Sequence, residues 1–528
     1  MSSCNNNPVV PTIVVVKNDE TYSPDKVEPV IDKWQKKTFS FFWDGASPSG
    51  LAYEGSNRGD IITMGGSGMG IMAIIVGDSR AWITHDQAAQ RMQSIVRFLG
   101  TANRFHGAWS HWYDSGGNAI PFGDQVKTGD LIETSFLMEG LLAAGQYYTG
   151  NTPVETEIRD SISSFWNTVD WKFYTNSNNN LYWLWYSQSN QFVMPIQGWN
   201  EGLISYILAL GAPVPHNINS GVYTNGWLSN GTIYNSNRQF YGYDLPLGEA
   251  YGGPMFFAHY SFLGLDPRLM QDNNVFYWLQ NVDHSMINRH YCLYIAPSAW
   301  DYSEKDWGLT ACSGAKPPLW NYLARSPTND DGVIAPTAAL GDMPYTPYYS
   351  IRSLMDWDQR SLLSGNYGFV DAYCPSTNTH ELNCLAIDQG PIVVMIENYR
   401  SGLIWNLFMK NPDIQRALLL AGMKTTPGYQ EGFYLAVTNT QTKEYDMIRH
   451  PDRRDFELDY FLNLTGNTHF VMKNNSNNTI VMDSTVIASA GRNILSFKNN
   501  TKILNQNQYN VEMTTHDNKI YNLTIRLR

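Results

Sequence analysis

Charge is scarce in this sequence, with Asp, Glu, Lys and Arg making up only 16% of 528 residues. Acids outnumber bases 48 to 36, and no basic cluster offsets the net −12, so nucleic acid is not an expected partner. A run of about 18 apolar residues is missing, which excludes a membrane-spanning helix. Cysteine is rare: Cys4, Cys292, Cys312, Cys374 and Cys384 contain no CxxC pair and no zinc spacing. Cys374 and Cys384 are close enough in sequence for a local disulfide, but free buried thiols are the expectation. His106 and His111 do not form an HExxH motif, and a GxSxG nucleophile elbow is absent. The glycines of Gly65-Gly66-Ser67-Gly68-Met69-Gly70 lack the following Lys and preceding strand of a phosphate loop, so close helix packing or a turn at a barrel mouth is expected there. No metal and no cofactor is expected.

Aromatic residues are in surplus. Seventeen Trp, 32 Tyr and 22 Phe make 13% of the chain, and 43% of residues are hydrophobic, ample for a large core. Much of that surplus fills a core, but sugar rings, with apolar C–H faces and hydroxyl rims, are the ligands that would use it best. At the start, Ser2-Ser3-Cys4 followed by Asn5-Asn6-Asn7 and a Pro-containing stretch resembles the mature end of a bacterial lipoprotein. Residues 1–25 are therefore expected to be a flexible tether lipidated at Cys4, with the protein in the periplasm or at the cell surface, as a monomer.

From 26 to 424 the pattern is helical. Thr84-His85-Asp86-Gln87 has the capping-box form, with Ala88, Met92, Ile95 and Leu99 on one face, and Thr152-Pro153-Val154-Glu155 opens a second amphipathic helix. Leu131–Leu142 and Leu203–Leu210 are apolar almost all round, as helices buried on every side are. Further helices are expected near 28–43, 67–77, 254–264, 271–289, 347–363 and 391–421. Alternating outer and inner helices predict an (α/α)6 barrel, a toroid. Residues 425–528 read as a small β-sandwich: Val511 and Met513 alternate, Asp517-Asn518 turns, and Leu523, Ile525 and Leu527 alternate again. Asn474–Asn478 and Asn499–Asn507 are expected loops.

Acids stand at the entrances of three apolar helices. Asp130 and Glu133 open the first, where they also have the form of a capping box. Glu201 follows Trp199 and Asn200 at the second, with Asn200 as the expected cap. Asp388 lies in Ile387-Asp388-Gln389-Gly390-Pro391, a turn into Ile392–Glu397, where satisfying turn amides is its other reading. Acids at inner-helix mouths within an aromatic wall suit glycoside hydrolysis, in which one carboxyl donates a proton and another carboxylate activates water or attacks carbon.

The ordered blocks Gly65–Gly70, Phe105-His106-Gly107, Asp130–Thr134, Trp199-Asn200-Glu201, Tyr251–Pro254 with His259-Tyr260-Ser261, Trp307–Ala311, Asp331-Gly332 with Ala335–Ala338, and Ile387–Pro391 with Met395–Arg400 resemble the glycoamylase-like family, specifically the bacterial β-1,2-glucanases of glycoside hydrolase family 144. The resemblance implies an (α/α)6 barrel and metal-free hydrolysis of β-1,2-glucan with inversion. It assigns Glu201 as general acid and Asp388 as general base, with Asp130 and Glu133 holding substrate or water, Glu133 within the catalytic group. Desolvation beside Trp199 is expected to keep Glu201 protonated, while Asp388 among turn amides should stay ionised. Inversion places working carboxyls about 6.5 to 9.5 Å apart. Trp112, Tyr243, Tyr251, Trp307 and Tyr399 are candidate sugar-stacking rings, with Trp199 beside Glu201; His259, Arg400 and Asn200 are candidate hydroxyl partners. Arg400 has an equal reading as a salt bridge to Glu397 or Asp388. Cys312-Ser313 departs from the Ser-Asp expected after Thr310-Ala311 and removes a loop acid. The competing functions are hydrolysis of α-glucan and a non-catalytic glycan-binding surface lipoprotein.

Overall fold

The computed structural model describes residues 24–423 apart from 58, 123–126, 316–320 and 361–362, and residues 432–433, 444–447, 455–462, 466–488, 491–498 and 508–527. Cys4 with its tether, and the expected loop Asn499–Asn507, lie outside the described residues. Asp25–Thr426 forms one compact unit, and the chain from Pro427 belongs to another.

The first unit is rich in helices: α1 (Pro24–Trp43), α2 (Met64–Ser79), α3 (His85–Thr101), α4 (Leu131–Tyr147), α5 (Pro153–Trp166), α6 (Leu203–Gly211), α7 (Ser220–Asn225), α8 (Tyr277–His290), α9 (Pro336–Gly341), α10 (Pro347–Trp357), α11 (Ala386–Arg400), α12 (Leu403–Met409) and α13 (Pro412–Leu420). Thr84 caps α3 through a complete capping box with Gln87, and Ala88, Met92, Ile95 and Leu99 are its buried stripe. Thr152 caps α5 ahead of Pro153. By contrast α2, α4 and α6 are buried on nearly every side.

The glycines of α2 explain how such helices approach. A β-carbon at Gly68 would sit 2.1 Å from the Phe136 carbonyl oxygen, and one at Gly140 would sit 2.2 Å from the Gly68 carbonyl oxygen, so α2 and α4 touch backbone to backbone. Gly66 meets Ala386 and Gly390 meets Met69 as closely, which brings α11 against α2. On its other side α4 packs on α6, and α11 packs on α9.

The segment expected as a helix over 254–264 instead makes two short 3-10 turns, Met255–Ala258 and Tyr260–Phe262. Four of its residues are aromatic, a poor composition for helix. Tertiary bonds also claim its polar groups: the Ser261 hydroxyl accepts the Ile204 N–H at 3.0 Å and donates to the Glu201 carbonyl at 2.5 Å. Its His259 reaches the end of α9, where a β-carbon at Gly341 would lie 2.7 Å from the imidazole. The long helix expected over 391–421 is three helices beginning earlier, at Ala386. Gly402, at φ +68, ends the first, and Asn411 with Pro412 opens the last.

Beyond Pro427 the elements are strands. Gly466–Asn474 pairs antiparallel with Ile480–Ala488 and Gln508–Thr514, which pairs antiparallel with Ile520–Leu527; Glu444–Met447 completes this five-stranded sheet in parallel. The expected hairpin is present, with Val511 opposite Leu523 and both buried, and with Asn518 left-handed at its turn. Of the expected loop Asn474–Asn478, Asn474 ends a strand and 475–478, with Thr479, connect it to the next. A three-stranded sheet holds Gly432–Phe433, Asp455–Leu462 and Gly491–Lys498.

Candidate active site

Helix N-termini carry unsatisfied N–H groups and a partial positive charge, which favours carboxylates there. Four such ends, those of α2, α4, α6 and α11, lie beside Asp130, Glu133, Glu201 and Asp388. Asp130 caps α4, accepting the Glu133 N–H at 3.0 Å. The Glu133 carboxylate leaves its own helix and accepts the Gly65 N–H at 2.6 Å, at the start of α2. Room for it exists because Gly65 lacks a side chain; a β-carbon would lie 2.8 Å from Glu133 Oε2.

His111 joins the two acids, with Nδ1 2.8 Å from Asp130 and Nε2 3.8 Å from Glu133. Its ring stacks on Phe122 at 3.9 Å. Burial works against an imidazolium here, but the negative charges of Glu133, Asp130 and Glu54 outweigh it and push His111 up to about 9. Burial pushes Glu133 up to about 7, opposed by His111 and reinforced by Asp130 and Glu54. The Trp112 indole donates to Glu54 at 3.1 Å and meets His111 edge-on, so this ring stands on the acid cluster.

Glu201 sits in a turn before α6 rather than in its first turn. The helix starts at Leu203 with Gly202 as its cap residue, and Asn200 makes a tight turn by accepting the Gly202 N–H at 2.8 Å. Burial pushes the Glu201 carboxyl up to about 7, opposed only by its own backbone N–H. Trp199 is buried among Trp227, Phe262 and Tyr277 at 6.0–6.2 Å, backing the acid instead of offering a face to ligand.

Asp388 departs from expectation twice. It lies inside the first turn of α11, not in a preceding turn, and it does not favour the ionised state. Burial raises it well above the usual carboxylate range, and the charge of Asp371, a hydrogen bond to Asp371 and the charge of Glu54 add to the effect. Asp371 is itself raised by burial, against the Ser313 N–H it accepts at 2.8 Å and its bond to Asp388. The two buried carboxyls thus form a pair that favours holding one proton between them. Ser313, where a loop acid was expected, serves the site as a donor to Asp371. Asp388 is only 1% exposed, and Asp371, Glu54 and the Tyr322 phenol are the ionisable groups it interacts with.

Tyr260 ties the groups together. Among the described residues its buried hydroxyl has no hydrogen-bond partner, and after burial the groups that hold its phenol protonated are Tyr322, Asp388, Glu201 and Asp371. Glu201 and Asp388 therefore act on one phenol, while Glu54 acts on both Asp388 and the His111–Glu133 cluster.

Several expected wall residues lie elsewhere. Trp307 is fully buried and Tyr243 is 2% exposed, so both are core. His259 is buried with Nε2 2.7 Å from Asp342, which occupies the atom a sugar hydroxyl would need. Tyr399 and Arg400 are at the far end of α11, about 17 Å from Asp388 at ~1.5 Å per residue. Arg400 pairs with Glu28 and Asp32 of α1, at 3.2 and 3.3 Å, while Glu397 is taken by Arg80. Tyr251 is half-buried in a loop discussed below. Cys292, Cys312, Cys374 and Cys384 are buried free thiols.

Sequence reasoning missed Glu54, His111, Asp371 and Tyr260 as site residues. Asp371 had a readable signal, a lone acid in the apolar run Phe369-Val370-Asp371-Ala372. His111 was weighed only as a metal ligand, and Glu54 had no local signal.

The Glycoamylase family model matches residues 193–412. An exo β-1,2-glucooligosaccharide sophorohydrolase (non-reducing end) of Parabacteroides distasonis is 39% identical over 426 residues, covering 75% of this chain; the chain spans 58% of that protein's length. The crystal structure of an endo-β-1,2-glucanase from Chitinophaga pinensis, in complex with sophorotriose and glucose, superposes with a TM-score of 0.72 at 42% identity, covering 76% of this chain and 99% of that one. A β-1,2-glucanase structure from Parabacteroides distasonis superposes at 0.71 with 38% identity, covering 75% and 60%.

Proposed function

This chain belongs to the glycoamylase-like family, and we propose from that premise that it is a glycoside hydrolase cleaving β-1,2-glucan with inversion. One observation carries the reading: Glu201, in the turn before α6, and Asp388, in the first turn of α11, are both buried acids raised above the usual carboxylate range, and the charges of both bear on the buried Tyr260 phenol. Glu201 is the general acid. Held up to about 7 by burial, it keeps its proton in roughly half of the molecules at neutral pH and in most below it, and can give it to the leaving glycosidic oxygen. The base is the Asp388–Asp371 pair, whose remaining negative charge takes a proton from water attacking the anomeric carbon on the opposite face of the ring. Asp130, Glu133 and His111 hold sugar hydroxyls or that water, His111 as a cation and donor.

The helices fit the (α/α)6 toroid. The run α6, α4, α2, α11, α9 is contiguous by packing, and the 255–262 segment touches α9 through His259 and α6 through Ser261, which supports a closed inner ring. Edge-on contact of Tyr460 with Phe470 at 5.0 Å supports a β-sandwich in the second unit.

The test is Glu201→Gln, assayed for new reducing ends on β-1,2-glucan and on starch. Wild type should act on the first only, and the variant should lose at least about a thousandfold in kcat with unchanged circular dichroism. Full turnover by the variant, or preference for starch, defeats the proposal.

A further inference from the structure

Next to Glu201 the loop wall carries a row of stacked rings that the catalytic scheme does not use. A β-carbon at Gly248 would lie 2.9 Å from the Trp199 indole and 3.6 Å from the Gly252 carbonyl, which places the 248–252 turn directly against the residue two before Glu201. From Tyr251 in that turn the rings run outward. Tyr251 meets Phe240 at 4.4 Å and Tyr241 at 5.5 Å; Tyr241 stacks on His290 at 4.4 Å and 10°; His290 meets Tyr294 at 4.9 Å. The inner rings are part-buried, and the row ends at Tyr294, 46% exposed, beside Ile295, 50% exposed.

The backbone is unusual at Tyr241, Tyr251 and Tyr294, whereas His290 lies on ordinary α-helix. Tyr241 and Tyr251 are left-handed, at φ +57 and +61, a region that bulky side chains avoid. Tyr294 sits in a π-helical turn, Tyr291–Ile295, that extends α8. Simple core filling needs none of this, since a core ring would be buried and could sit on relaxed backbone. Strained backbone that holds part-exposed rings in a continuous row, leading from the turn beside Trp199 to the exposed Tyr294, suits a ligand with repeated apolar faces and hydroxyl rims.

We propose that Tyr251, Tyr241, His290 and Tyr294 form an aromatic platform binding glucose units of the substrate chain beyond those at the acids, and so set a preference for longer β-1,2-glucan. This rests on the function proposed above and specifies which part of the chain is held where.

The experiment uses the full chain and two variants outside the catalytic groups: Tyr294→Ala, at an exposed position, and Tyr241→Asn, since Asn tolerates left-handed backbone. Kinetics are measured on a long β-1,2-glucan and on the β-1,2-linked trisaccharide, and binding of the long glucan by calorimetry. The expected result is a rise of about tenfold in KM and in Kd for the long chain, with trisaccharide kinetics unchanged. Unchanged KM and Kd for the long chain, or equal losses on both substrates, overturns the platform. If wild type cleaves neither substrate the hydrolase reading fails, and calorimetry alone judges the platform: long-glucan binding weakened about tenfold in the variants supports it, and no binding or equal binding overturns it.

Discussion

Glu201 shows how one side chain can be chemically useful and structurally costly at once. Its raised pKa means that the folded state prefers the neutral acid more than the unfolded chain does. Between about pH 4.5 and pH 7 the folded protein therefore binds more protons, and its stability falls as pH rises through that window. Glu201→Gln removes the ionisation, so the variant should be more stable than wild type at pH 8, by on the order of 1–3 kcal/mol, and close to it at pH 4.5. Urea melts at the two pH values check this, and a gain independent of pH would contradict it. As the proposed general acid, the same group should also set one limb of the activity profile. An acid must be protonated to donate, so kcat/KM should fall above about pH 7. Asp371→Asn should remove the charge that raises Asp388, and the acidic limb should move to lower pH; an unmoved limb would mean the two carboxyls are not linked.

At the scale of elements, the site depends on helices close enough for one to hold another's side chain. Gly65 leaves space for the Glu133 carboxylate of α4, and Gly68 lets α4 approach at all. Gly68→Ala would drive a β-carbon against the Phe136 backbone, which cannot swing aside, so a loss of about 1–3 kcal/mol is expected with reduced turnover as Glu133 shifts. Gly59→Ala, with nothing within 4 Å, is the matched control and should leave both unchanged. Urea midpoints and kcat for the pair measure the difference. These elements were legible where their signals are local. Thr84 with Gln87, and Thr152 with Pro153, announce α3 and α5 because a cap and a stripe lie within a few turns of chain. The 254–264 segment misled because its apolar content is set by burial against α6 and α9. Periodicity across 391–421 hid two breaks, and the Asn411-Pro412 start was the readable one.

For the whole molecule, acids were legible where a charge interrupts an apolar helix mouth, as Asp130, Glu133, Glu201 and Asp388 do. Their partners were not, because pairing is a property of the folded chain. His111 reaches Asp130 across 19 residues and Glu54 reaches Trp112 across 58, distances over which no local pattern carries information. All of these groups, with the helices that hold them, fall within Asp25–Thr426. That unit has its own core, from Ile31 and Trp34 through the inner helices to Trp405 and Phe408. A protein ending at Thr426 should therefore fold cooperatively and keep kcat on the β-1,2-linked trisaccharide within about twofold, since no group assigned to the reaction is lost. Calorimetric melting of the shortened and full chains, with trisaccharide kinetics on each, makes the comparison. A shortened chain that melts normally but turns over poorly would place a functional contribution beyond Pro427, and one that fails to fold would show that the helical unit completes its core with the strands that follow it.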